Sequence, residues 1–375
     1  MGAGKAILFR DHPMRRSNCS LITAARTLCT ESTAFRSSCS RGPAMNSPHE
    51  RRGFLQATLA LSAAAALGVP ARAQQRIDTL HVLCGYPPGG SVDVVSRRLA
   101  ERLGKGYARA ALVENKPGAA GRLVVDALKS SAADGSAILI TPASVVTMYP
   151  HIYRPLSYDV FADLTPVAMV ASTEFCLAVG PAVPAAVQSL EDFGQWCRAN
   201  PALANCGNAG AGSFPHFLAL LVARETGMAL NHVPYRGGSA AMLALAGGQV
   251  SAALATEGSA LALEQAGKLR VLATSAAQQS SFFPKARSFT DLGYRNLAQR
   301  EWFGAFMPRQ ASASAVAAVA DEIRGMLGEP DVRETWARMG LITTGSSPAE
   351  LQVALRKEHD FWAPVIKASG FTPEA

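Results

Sequence analysis

The sequence predicts an α/β protein of two lobes, and three observations carry the prediction. From Leu80 onward, short apolar runs alternate with amphipathic stretches of helical period, the pattern of lobes built on largely parallel sheets. The apolar stretch at residues 166–180 is far longer than the usual strand of about five or six residues, which suits a segment crossing from one lobe to the other. The chain has 375 residues, 49% of them hydrophobic, more than one compact core usually holds and enough for two.

The elements follow in order. Residues 81–85 read as a first strand, Pro87-Pro88-Gly89-Gly90 breaks it, and residues 91–103 place Val94, Val95, Leu99 and Leu103 on one helical face. Residues 111–114 form a second strand and 115–121 a turn into a helix. Asp134-Gly135 is a tight turn into a third strand at 137–140. Beyond the crossing stretch, the second lobe reads as helix 189–199, strand 204–207, helix 213–226, strand 231–235 and helix 239–246. Strands at 250–256 and 268–275 follow, the latter offering a way back. Residues 302–307 and helices at 313–327, 331–339 and 349–368 complete the first lobe. The lobes are thus expected at residues 74–172 with 276–375, and at 173–275.

Residues 1–73 read as a leader to be set aside before fold reasoning. They hold 10 Lys and Arg against 3 Asp and Glu, so +7 of the formal +8 lies there, and the remainder is close to neutral. That distribution removes the nucleic-acid reading a basic chain otherwise invites. Glu50-Arg51-Arg52-Gly53-Phe54-Leu55-Gln56 supplies a twin arginine, residues 57–69 an alanine-rich apolar run, and Ala71-Arg72-Ala73 a small-residue cleavage box. The run falls short of the ~20 apolar residues that span a bilayer, so a cleaved export signal is expected, with Gln74 as mature start. A general secretory signal with two arginines stays open beside the twin-arginine route. Met45 stands just ahead of the signal, so residues 1–44 read as an over-extended start, with a long n-region as the alternative.

Cys19, Cys29 and Cys39 lie in the leader, leaving Cys84, Cys176, Cys197 and Cys206, among which no metal-type spacing occurs. A disulfide between Cys197 and Cys206 and a pair of free buried thiols both remain open.

The strand-to-helix turn Tyr86-Pro87-Pro88-Gly89-Gly90-Ser91-Val92-Asp93 is the most informative local feature. Two glycines let backbone approach a ligand, and the helix that follows presents unpaired N–H groups at the positive end of its dipole. Ser91 is the expected N-cap, with Asp93 offsetting the dipole. The same residues also fit a plain capped turn. Residues 207–216, which end in Gly212-Ser213-Phe214-Pro215-His216, repeat the device in the second lobe, and Tyr235-Arg236-Gly237-Gly238 ends another strand at a glycine pair. His216 is expected to pack or cap within its own lobe. Two such N-termini facing across a cleft suit a carboxylate held between donors from both lobes. The segment around Ser213 lacks the G-x-S-x-G elbow, and no zinc-protease, P-loop or EF-hand motif occurs. Neither catalysis, a cofactor nor a metal is expected.

Tyr-Pro-Pro-Gly-Gly-Ser-x-Asp at 86–93, Val-Glu-Asn-Lys-Pro-Gly-Ala-x-Gly at 113–121, Gly-x-Gly-Ser-x-x-His at 210–216, Val-Pro-Tyr-Arg-Gly-Gly at 233–238 and Gly-Gly-Gln-Val at 247–250 stand in order along the chain. Together they resemble the Bug family, the TctC-like extracytoplasmic solute receptors of tripartite tricarboxylate transporters. The resemblance implies a periplasmic-binding-protein type II fold, two α/β lobes with a ligand cleft, joined by two crossing segments. It implies a periplasmic monomer that captures a small carboxylate for membrane transporter subunits. By position it points to Tyr86, Gly89, Gly90, Ser91, Val92, Asp93, Ala211, Gly212, Ser213, Tyr235, Gly237 and Thr256 as pocket residues, with Ser144 added after the third strand. One departure bears on the ligand. Where the family places acids after Gly-Gly-Gln-Val, this chain has Ser251 and Ala255, which favours a plain organic acid over an amino acid. A periplasmic sensor and an enzyme on this scaffold are the alternative readings.

Overall fold

The computed structural model describes residues 76–373, so the leader, its paired arginines, its cleavage box and its three cysteines lie outside the described residues. The chain opens with β1 (Ile77–Cys84), α1 (Ser91–Gly106), β2 (Ala108–Asn115), α2 (Leu123–Lys129) and β3 (Ala137–Pro142). β1 starts ahead of its apolar run because Ile77 and Thr79 already pair with Ala108 and Ala110. It runs parallel to both β2 and β3. Three short helices that the sequence did not signal, α3 (Ala143–Thr147), α4 (Tyr149–Ile152) and α5 (Val160–Asp163), lead into β4 (Leu164–Val179).

Then come α6 (Leu190–Ala199), β5 (Asn205–Asn208), α7 (Phe214–Thr226), β6 (Asn231–Pro234), α8 (Gly238–Ala246) and β7 (Ala252–Thr256). Next are α9 (Glu257–Gln265), β8 (Arg270–Thr274) and β9 (Arg287–Ser288). The chain closes with β10 (Arg300–Pro308), α10 (Ala313–Leu327), α11 (Pro330–Ala337), β11 (Ile342–Thr343) and α12 (Pro348–Ser369). α6 and α12 each begin at a reciprocal cap, Ser189 with Asp192 and Ser347 with Glu350, which satisfies two orphan donors apiece.

The sheet runs in the order β2-β1-β3-β10-β4-β7-β5-β6, with β11 and β8 also on β4. It is mixed rather than largely parallel. β1, β2 and β3, and separately β5, β6 and β7, pair in parallel, whereas β10 and β4, which carry the chain between the halves, are antiparallel to their neighbours. β4 changes partners midway. Leu164 to Glu174 lie against β10, and Phe175 to Val179 lie between β7 and β8. Within residues 276–299, β9 pairs in parallel with β8.

Both faces of the sheet are covered, which explains the unbroken apolar run in β4. On one face of the first lobe Leu80, Val82, Ile138, Ile140 and Phe303 meet Leu99, Leu103, Val319 and Trp336. In the second lobe Cys176, Ala178, Ala253 and Ala255 meet Met242 and Leu245. A third cluster belongs to both lobes: Leu83, Leu139 and Trp302 join Leu177, Phe175, Phe193 and Phe217 in one apolar body. At its centre Phe175 stacks on Phe214 at 4.9 Å, and Phe214 meets the edge of Trp362 at 5.1 Å. All four described cysteines are free thiols in these cores, so Cys197 and Cys206 are not bridged. Among the described residues no helix is long and apolar enough to cross a membrane.

Candidate functional site

In open α/β sheets ligands settle beyond the carboxyl ends of the strands, where helix N-termini gather. After β1, Gly85 packs so closely that an added Cβ would lie 2.8 Å from Val124 Cγ1, and the exposed Pro87-Pro88-Gly89-Gly90 turn follows. Gly89 has φ +88°, a conformation other residues adopt only with strain. The N-cap of α1 is Gly90 rather than Ser91, which is instead the first helical residue and makes no capping bond. The cap is built differently. Asp93, almost fully buried, reaches back to accept from the Gly89 N–H at 2.9 Å, while also taking Arg97 Nε and Asn115 Nδ2, each at 2.8 Å. Burial opposes ionisation of this carboxyl, but the bonds from Arg97, Gly89 and Asn115 outweigh it and hold it below the ordinary carboxylate range. The Asp93 side chain therefore braces the turn. The first bond along the helix runs from Val94 N–H to Gly90 O at 3.0 Å, so the N–H groups of Ser91, Val92 and Asp93 have no intrahelical acceptor.

The second-lobe turn is more self-contained. Ser213 caps α7, accepting from His216 N–H at 3.4 Å and donating its hydroxyl to Gly210 O at 2.6 Å. Gly212 N–H donates to His216 Nδ1 at 3.1 Å, and Gly210 N–H to Asn208 Oδ1 at 3.3 Å. His216 thus works inside its own lobe as a neutral acceptor, and burial, aided by His232, pushes its pKa down to about 4. Of the expected donors here, Gly212 and Ser213 spend their N–H groups within the turn, and Ala211 stands exposed at its tip. Tyr235 lies over Gly207, where a Cβ would come within 3.1 Å of the ring, and Gly237 is the N-cap of α8. Thr256 is the N-cap of α9, with its hydroxyl 2.8 Å from Ser259 Oγ. Ala255 is fully buried in the apolar cluster with Met242 and Leu245.

The first-lobe side contains groups the sequence did not flag. Ser144, the second residue of α3, donates to Glu301 Oε1 at 2.6 Å across 157 positions of sequence. Tyr86 and Tyr149 both have their ionisation opposed by burial first and by the Glu301 charge among lesser causes. Burial pushes Glu301 up to about 7, with the Ser144 bonds opposing. Two further glutamates flank the crossing. Glu358 accepts from Trp302 Nε1 at 2.8 Å, and burial lifts it to about 7. Glu257, the first residue of α9 and fully buried, accepts from Ser280 Oγ at 2.8 Å, and its other oxygen has no partner among the described residues. Among the described residues no three His, Cys, Asp or Glu converge as metal ligands.

Burial also lifts Glu257 to about 7, with Ser280 opposing and Glu174 adding to the rise. Because the folded pKa exceeds the unfolded one, the folded state holds the extra proton in the window between them. The resulting stabilisation is present below the ordinary glutamate pKa and is lost as pH rises through about 7. Glu257→Gln is therefore expected to raise stability at alkaline pH by roughly 2 kcal/mol and to flatten that part of the pH profile. Urea titrations of both proteins across neutral pH measure it; parallel profiles would refute the assignment.

The sequence and fold have known counterparts. Residues 95–371 match the model of the tripartite tricarboxylate transporter family receptors. Protein BugT of Bordetella pertussis is 30% identical over 292 residues, covering 78% of this chain and 89% of that protein. A Cupriavidus necator protein encoded in the gbd 5' region is 30% identical over 298 residues, covering 78% and 89%. Among solved structures, an R. palustris protein with adipate superposes with TM-score 0.70 at 25% identity, covering 80% of this chain and 99% of that one. The periplasmic binding protein BugD superposes with TM-score 0.67 at 21% identity, covering 79% and 99%, a likeness of fold. With its two lobes, its crossing strands β4 and β10 and its helix N-termini beyond the strand ends, the chain belongs to the family of tripartite tricarboxylate transporter receptors, which are periplasmic solute-binding proteins and not enzymes.

Proposed function

We propose that this protein is exported by its twin-arginine-type leader and, as a periplasmic monomer, captures a small organic carboxylate between its lobes for delivery to the membrane subunits of a tripartite transporter. The observation that carries the reading is the start of α1, where three successive N–H groups lack intrahelical acceptors behind an exposed glycine turn. Aligned peptide dipoles make such an end favourable for one carboxylate. The related R. palustris protein, solved with adipate, supports the ligand class. Tyr235 and Thr256 supply side chains around the anion, Tyr86 and Ser144 line the ligand's far end, and the turns at Ala211 and Gly237 supply the opposite lip. Binding to the folded state alone raises stability by about 2.7 kcal/mol at a hundredfold excess over Kd. A thermal-shift screen of mono-, di- and tricarboxylates, followed by calorimetry and recovery of the ligand, tests this. At least one acid is expected to raise Tm by several degrees and to be recovered unchanged. No response to any acid would refute the reading.

A further inference from the structure

Glu301 is an acid without an ion-pair partner among the described salt bridges, set where the first-lobe side chains converge. It sits near the start of β10, opposite Thr173 of β4, and it is half-buried rather than enclosed. Its hydrogen-bond partner is the Ser144 hydroxyl, at the carboxyl end of β3. Ser144 of α3 is bonded to it, and its charge also bears on the ionisation of Tyr86 of the β1–α1 turn, Tyr149 of α4 and Glu358 of α12. Its strand neighbour Arg300 is exposed, and Arg122 is held over the Tyr153 ring at 3.7 Å. No Lys or Arg is among the causes that set its ionisation, and Glu358 adds like charge to the same region. Arg300 and Lys357 bear on Glu358 and Arg122 on Tyr149, but among the described residues Glu301 itself is bonded to the Ser144 hydroxyl and to no cation.

We infer that Glu301 screens ligands at the first-lobe side of the cleft, selecting a monocarboxylate whose far end presents a hydrogen-bond donor and rejecting dicarboxylates. The inference rests on the carboxylate-receptor reading, in which α1 takes one carboxylate by its N–H groups. A second carboxylate directed at Glu301 would bring like charges together in a partly desolvated place, where their repulsion is far stronger than in water. A hydroxyl or ammonium there would instead donate to Glu301, satisfying an acceptor that otherwise loses water when the lobes close.

The test is calorimetry at about pH 8 with adipate and with the terminal hydroxy acid of the same chain length, on the wild type and on Glu301→Gln. The wild type is expected to bind the hydroxy acid at least about tenfold more tightly, and Glu301→Gln to erase that ratio by gaining affinity for adipate. A purely structural role for Glu301 would alter stability without moving the ratio. Should Glu301→Gln not fold, the wild type alone decides, because its adipate affinity should rise as pH falls below about 7 while the hydroxy acid changes little. Equal binding of the two acids by the wild type, or a ratio unchanged by Glu301→Gln and by pH, overturns the screening role and leaves the receptor reading intact. If neither these acids nor the wider screen bind the wild type, the receptor reading falls and takes this inference with it.

Discussion

Gly90→Val is expected to abolish capture of the ligand while leaving a folded protein. Gly90 has φ −77° and ψ 166°, which a β-branched residue adopts without strain, and a Cβ there would find nothing closer than Pro87 O at 3.7 Å. The fold accommodates the side chain. The ligand is expected to be displaced, because a branched side chain at the N-cap takes up space beside the N–H groups of Ser91, Val92 and Asp93. The affinity loss should be at least about a hundredfold, since the donors are lost together with the space for the anion. Valine is a poor N-cap, so stability should fall by about 1 kcal/mol. Calorimetry and a thermal melt on the same preparation separate the two effects. Undiminished affinity would mean that the turn is only a capped turn and that the anion is held elsewhere.

Trp362→Ala is expected to have the largest effect on stability. Trp362 is fully buried in the cluster shared by both lobes and meets Phe214 at 5.1 Å and Phe361 at 5.2 Å, both edge-on. Removing an indole from such a site costs about 3–5 kcal/mol, because the surrounding core relaxes only partly into the cavity left behind. For a domain of this size that lowers Tm by roughly 5–8 °C. Trp362→Phe should recover most of the loss, since the indole Nε1 has no partner among the described residues to leave behind. Thermal and urea unfolding measure both variants; a cost below about 1 kcal/mol would show that the cluster repacks freely.

Much of the fold was legible in the sequence because its elements announce themselves locally. The break at Pro87-Pro88-Gly89-Gly90 marks the end of β1, the long apolar run marks β4, and Ser189 and Ser213 cap the helices that follow them. α9 was not legible. Gly258 and Ser259 weaken its first turn, and only Glu257 and Ala260 are fully buried, so no apolar stripe of helical period exists. The antiparallel partners of β4 and β10 were hidden for a different reason, since pairing across more than about seventy residues leaves no local trace.

The candidate site divides in the same way. The glycine turns could be read because backbone approach requires glycine. The internal saturation of the Gly212 turn and the bracing role of Asp93 depend on which atoms find each other. Glu301 gave no sign of itself within Arg-Glu-Trp-Phe-Gly, because what makes it unusual is Ser144, Tyr86 and Tyr149, brought to it from distant stretches of chain.

The apolar body centred on Phe175, Phe214 and Trp362 bears on how such receptors can diversify. Because α12, which closes the chain in the first lobe, seats its tryptophan on a helix of the second, neither lobe owns a complete interior. A lobe transplanted from a relative would arrive with half of a core and meet the wrong half. New ligand preferences in this lineage are thus more accessible through changes at rim positions such as Glu301 than through exchange of whole lobes. In this molecule recombination and point substitution are unequal routes to a new specificity.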